Sequence, residues 1–156
     1  MSEHPDDYTE ARESIRNTID DPVTKLLLSS SHLTRPQLET LLADSISYEK
    51  TAKKDHRRLF RPSKNHVSRG SYNRTLIQAQ NNVIHAIYTV LLLGYVGLFD
   101  SSSLQPFLEL SDNLESYMTE TKQSSVEDRD VLEALKTRLT ETISALARRH
   151  SYKDKL

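Results

Sequence analysis

Apolar residues return every third or fourth position along nearly the whole chain, and no stretch alternates apolar with polar as a half-buried strand would. From Tyr8 the positions Ala11, Ile15 and Ile19 make one stripe. Asp21-Pro22 supplies a cap and a first-turn proline for a second helix carrying Val23, Leu26 and Leu27, which Ser29, Ser30 and Ser31 end. Thr34 with Gln37 three residues on forms a capping box, Pro36 lies in the first turn, and Leu38, Leu41, Leu42 and Ile46 share a face. The expectation is an all-α fold, a helical bundle of five or six helices.

The period breaks between Lys50 and Arg74. KTAKKDHRRLF could prolong a helix, but Pro62, Ser63, Lys64 and Asn65 read as a loop. Ser68 then caps a helix running through Leu76, Val83, Ile87 and Leu91 to about Leu93 or Phe99, weakened at its far end by Gly94 and Gly97. Ser101, Ser102 and Ser103 cap another, with Pro106 in its first turn and Phe107, Leu110, Leu114 and Tyr117 or Met118 inward. After a polar break at Lys122 to Ser125, a Ser124/Glu127 box opens a last helix. Leu132, Leu135, Leu139, Ile143 and Leu146 form its narrow seam, flanked by Glu133, Lys136, Arg138 and Glu141, as suits packing on a partner helix. The chain therefore divides into an acidic N-terminal helical arm (1–33), a helical core (34–121) and a C-terminal amphipathic helix (122–156).

A chain of 156 residues suits one domain. With no Cys it has no disulfide, zinc-thiolate site or cysteine nucleophile, and a reducing cytoplasmic or nucleoid-associated setting fits. The acidic first 25 residues lack the apolar stretch of a secretory signal. Ala86 to Phe99 is densely apolar but shorter than the about 20 residues a membrane span needs, so it reads as a core helix and part of a subunit interface.

Common catalytic signatures are missing. No GxSxG, SxxK, GxGxxG or GxxxxGK[ST] occurs, and three glycines cannot build a nucleotide loop. The histidines show no HExxH-like spacing, and His56 and His66 lie among cations that repel a metal; His85 reads as a hydrogen-bonded core or interface residue. Carboxylates cluster near helix starts, where they offset the dipole. Neither an enzyme nor a cofactor or metal is expected.

Charge is the other strong signal. The net charge of −1 hides three unlike parts: residues 1–49 carry −6, residues 75–156 carry −3, and residues 50–74, with nine cations and one acid, carry +8. Cations interleaved with Phe60 and Tyr72 are what a polyanion requires, since they release counterions from phosphates and offer flat side chains to sugar or base. Lys53, Lys54, Arg57, Arg58, Arg61 and Lys64 are candidates for sequence-independent phosphate contact. Ser63, Asn65, Ser68, Ser71 and Asn73 are interleaved hydrogen bonders.

Within this segment, Val67-Ser68-Arg69-Gly70-Ser71-Tyr72-Asn73-Arg74-Thr75-Leu76 resembles the turn and start of the second helix in the helix-turn-helix domains of bacterial and archaeal transcription regulators. The resemblance is firm over these ten residues and looser over 34–93; the break from Pro62 to Val67 is longer than the usual turn. It implies that Val67 anchors the turn, Ser68 caps the helix, Leu76 enters the core, and Arg69, Ser71, Tyr72, Asn73 and Arg74 face the major groove. Gly70 would let the backbone approach a phosphate.

The expected function is double-stranded DNA binding, sequence-specific or semi-specific, by a homodimeric transcription regulator. Leu132, Leu135, Leu139, Ile143 and Leu146, with part of the 83–99 helix, would form the dimer contact. The acidic arm would lie away from DNA or cover the basic segment. The rival expectation is a non-catalytic helical adaptor whose basic segment docks an acidic protein, RNA or an anionic membrane surface.

Overall fold

The computed structural model describes residues 5–49, 56–62 and 67–98, with isolated positions from 105 to 141. The chain divides into two units, Met1–Ile87 and Tyr88–Leu156. All regular structure among the described residues is helical: α1 (Pro5–Asp20), α2 (Pro22–Ser30), α3 (Arg35–Glu49), a 3₁₀ turn (Arg57–Phe60) and α4 (Arg69–Tyr95). Positions 105, 108–109, 111–112, 133, 136–137 and 139–141 are helical as well, where the sequence places its later helices. The fold is all-α. No described helix is long and apolar enough to cross a membrane.

In the first unit α1 turns its expected stripe inward. Ala11, Ile15 and Ile19 are buried with Ala43 of α3 and Phe60 of the 3₁₀ turn, and Tyr8, Leu38, Leu42 and Ile46 pack around them. Removing side chains the size of Ile15, Ile19 and Phe60 from water contributes about 1.5–3 kcal/mol each. The residues expected to form an N-terminal arm thus contribute three of these five buried side chains. At the junction with α2, the Asp21 carboxylate accepts from the Thr24 backbone N–H at 2.8 Å and Pro22 occupies the first turn. Val23 is buried, while Leu27 is exposed. The Thr34 backbone N–H donates to Gln37 Oε1 at 3.0 Å, one half of the expected capping box.

The deepest side of α3 differs from the apolar stripe read in the sequence. Leu38, Leu42 and Ile46 are only partly buried, whereas Glu39, Thr40, Ala43 and Ser47 are fully enclosed. The reason is that α3 is covered on a second side: Arg61 reaches Glu39, and Tyr72 of α4 reaches the backbone of Thr40. Helix α3 is described as far as Glu49; residues 50–55, where the sequence allows a helical extension, lie outside the described residues, and Arg57–Phe60 form a 3₁₀ turn.

In the second unit α4 ends as its glycines lead one to expect. Gly97 adopts φ +75°, its N–H donates to Gly94 O at 3.1 Å, and the Leu98 N–H donates to Leu93 O at 2.9 Å. This is the paired closure that satisfies the last carbonyls of a helix, and only glycine takes that backbone angle without strain. Lys136 Nζ pairs with Glu133 at 2.8 Å along the later helical stretch.

Candidate nucleic-acid interface

The segment from His56 to Arg74 is built by opposing uses of its arginines. Arg57 Nη1 pairs with Asp44 of α3 at 2.7 Å, both groups mostly enclosed. Arg61, 4% exposed, meets the buried Glu39 at 3.5 Å, and the other oxygen of that carboxylate accepts from Arg35 Nε at 3.3 Å. Arg35 also reaches Asp20 at the end of α1, at 3.1 Å. A carboxylate this deep is stable only because guanidinium groups replace its water. Arg58 Nη1 donates to the Val67 carbonyl at 3.1 Å. The chain leading into α4 is therefore fastened at Arg57, Arg58 and Arg61.

Helix α1 closes the other side of the 3₁₀ turn. Arg12 Nε donates to Leu59 O at 2.6 Å, Tyr8 Oη lies 3.2 Å from His56 Nδ1, and the Tyr8 ring packs on Phe60 with centroids 5.0 Å apart.

At the start of α4, Val67 is buried and Ser68 Oγ accepts from the Ser71 N–H at 3.2 Å, the cap expected from the sequence. Tyr72 and Ala79 point into the unit; Tyr72 Oη donates a long 3.5 Å hydrogen bond to Thr40 O. Burial pushes the Tyr72 phenol far above its ordinary pKa, with Asp44 adding to the shift and Arg57 and Arg61 opposing it. Further along, Asn82 Nδ2 donates to His32 O at 2.9 Å and Gln37 Oε1 at 3.3 Å. These bonds fix how α4 is rotated about its own axis.

That rotation sorts the predicted contacts. Ser68, Arg69, Ser71, Asn73 and Arg74 are exposed together on the first two turns of α4. Two expected contacts face elsewhere. Tyr72 is 3% exposed and serves as an inward anchor, and Arg61 is enclosed with Glu39, so neither presents its side chain to a ligand on this surface. Arg57 and Arg58 are half-buried by their bonds to Asp44 and Val67. Lys53, Lys54 and Lys64 lie outside the described residues. His85 is exposed rather than part of a core.

Along the sequence the helix start is one-signed. No acidic residue lies in the first turn of α4, and none occurs in the sequence between Asp55 and Asp100. The positive end of the helix dipole and two exposed arginines therefore act together on an approaching anion. Gly70 stands in the first turn with nothing within 4 Å of the place a Cβ would occupy. Its absence of side chain costs the helix about 1 kcal/mol relative to Ala, and no neighbour inside the protein requires it.

The partners of the inward arginines, Glu39 and Asp44, were not singled out in the sequence. The available signal was Glu39 and Asp44 set between the apolar positions of α3, ahead of a segment rich in cations. Comparison of the chain with family models, with curated proteins and with solved structures finds no match.

Proposed function

We propose that this chain binds double-stranded DNA through the first turns of α4 and acts as a homodimeric transcription regulator in the cytoplasm or on the nucleoid. The observation that carries the reading is the joint exposure of Ser68, Arg69, Ser71, Asn73 and Arg74 on a helix start free of carboxylates, with Val67 and Tyr72 buried behind it. Hydroxyls and arginines at a helix N-terminus suit phosphate oxygens, and Arg and Asn side chains match purine edges in the major groove. Lys53, Lys54 and Lys64 add phosphate affinity, while Arg57, Arg58 and Arg61 position the helix from behind. The helix-turn-helix-like sequence at 67–76 agrees with this reading at Val67, Ser68, Arg69, Ser71, Asn73 and Arg74, but not at Tyr72, which is buried, or Leu76, which is only partly so.

Support for the homodimer comes from the apolar side chains that α4 exposes beyond its polar start, Ile84, Ile87 and Leu91 among them. Leu139 of the C-terminal seam is half-buried; Leu132, Leu135, Ile143 and Leu146 lie outside the described residues.

The test is duplex binding measured across a salt series. Arg69→Ala combined with Arg74→Ala is expected to weaken binding and to make the slope of log K against log salt shallower, by about 1 for each of the two that contacts a phosphate. A binding curve identical to that of the unmodified protein at every salt concentration overturns the assignment.

A further inference from the structure

The exposed side of α4 does not stop at Arg74. Viewed down the helix axis at 100° per residue, the buried Tyr72 and Ala79 point one way. Gly70, Arg74, Ile77 and Asn81 point the opposite way with Asn73 on their flank, and all five are exposed.

This stripe is not an ordinary solvated helix face. Such faces mix charges of both signs, whereas this one lies in a stretch with no carboxylate. Its hydrogen bonders are guanidinium and carboxamide, the groups whose paired atoms fit guanine O6/N7 and adenine N6/N7. Between them Ile77 is 57% exposed, an apolar branched side chain set among Asn73, Arg74 and Asn81, and a thymine methyl is the matching group on a base edge. At the head of the stripe Gly70 leaves open space that nothing in the protein fills.

We propose that the reading surface of α4 continues through Ile77 and Asn81 in the major groove of B-form DNA. Asn81 pairs with an adenine edge, Ile77 lies against a thymine methyl, and the duplex backbone passes over Gly70. From Gly70 to Asn81 the helix advances about 17 Å, the rise of about five base pairs, so one helix addresses a contiguous short site. The inference rests on the DNA-binding reading above and names determinants of its specificity.

The experiment selects bound duplexes from a random pool with the unmodified protein and with Asn81→Ala, then measures affinity for the selected duplex. The unmodified protein is expected to enrich a site containing both adenine and thymine. Asn81→Ala is expected to lose preference at one adenine position and to bind the selected duplex roughly 10- to 100-fold more weakly. Replacing the critical thymine by deoxyuridine removes only the methyl; it should weaken binding of the unmodified protein and leave Ile77→Ala indifferent. Gly70→Ala should raise the thermal midpoint of the protein yet weaken its duplex binding. Should Asn81→Ala and Ile77→Ala keep the original preference and affinity while the Arg69/Arg74 double variant loses binding, the extended surface is overturned and the DNA-binding reading stands. Duplex binding with no base preference also overturns the extension. If the unmodified protein retains no duplex at all, both fall.

Discussion

Tyr72 illustrates how one side chain can be right in kind and turned the opposite way. An aromatic residue among cations reads as a surface for base or sugar, but its ring is the anchor that lets the neighbouring Asn73 and Arg74 face outward. Its raised pKa has a measurable consequence. In the unfolded chain the phenol ionises near pH 10, while the folded protein holds it neutral to higher pH. The contribution is fully present below pH 10, and stability falls as the pH rises from there toward the folded value, because the unfolded state releases a proton the folded state retains. Denaturant titrations at pH 9 and pH 11 should show a larger loss for the unmodified protein than for Tyr72→Phe. Equal losses would mean that the phenol is not held neutral by the fold. The sequence could not reveal this inversion, since whether position 72 faces in depends on where α3 lies.

At the scale of elements, the local signals were legible and the pairings were not. Asp21-Pro22, Thr34 with Gln37, and Ser68 each announce a helix start through chemistry confined to a few residues, and each forms a bond of the expected kind, while Gly97 closes the end the sequence marks only as weakened. The apolar period of α1 was equally plain, with Ala11, Ile15 and Ile19 buried. What periodicity misses is the polar side of α3, because Glu39 and Thr40 are enclosed by residues more than 20 positions away in the chain. The Glu39–Arg61 pair joins α3 to the segment that feeds α4. Glu39→Ala should cost about 3–5 kcal/mol in chemical unfolding, since it strands a buried guanidinium. The double replacement Glu39→Leu with Arg61→Met should recover most of that loss and retain the salt dependence of duplex binding. A slope shallower by about 1 in the double variant would instead return Arg61 to the phosphate contacts.

For the molecule as a whole, total charge is a poor guide and its layout a better one. The +8 of residues 50–74 is spent partly indoors, since Arg57 and Arg61 face Asp44 and Glu39. Among the described residues the exposed cations of this segment, Arg69 and Arg74, stand at one helix start. The other exposed property of α4 is apolar, and it yields a prediction about assembly. Light scattering should give a mass twice the 17.9 kDa of the chain, and Ile84→Glu with Ile87→Glu should reduce it to a single chain without unfolding, because both positions are exposed in the isolated chain. A mass unaltered by the double substitution would exclude these residues from a subunit contact.

The anchoring of α4 by Tyr72, Ala79 and Asn82 also bears on the heat of recognition. A ligand arriving on the outer stripe meets a helix already built, so its affinity is not diminished by the entropy of folding a disordered segment. Asparagine adds to this economy, since its short side chain has fewer rotamers to fix than arginine or lysine. Association should accordingly lack the large negative heat-capacity change of coupled folding, leaving the signature of two preformed surfaces that exchange water for each other.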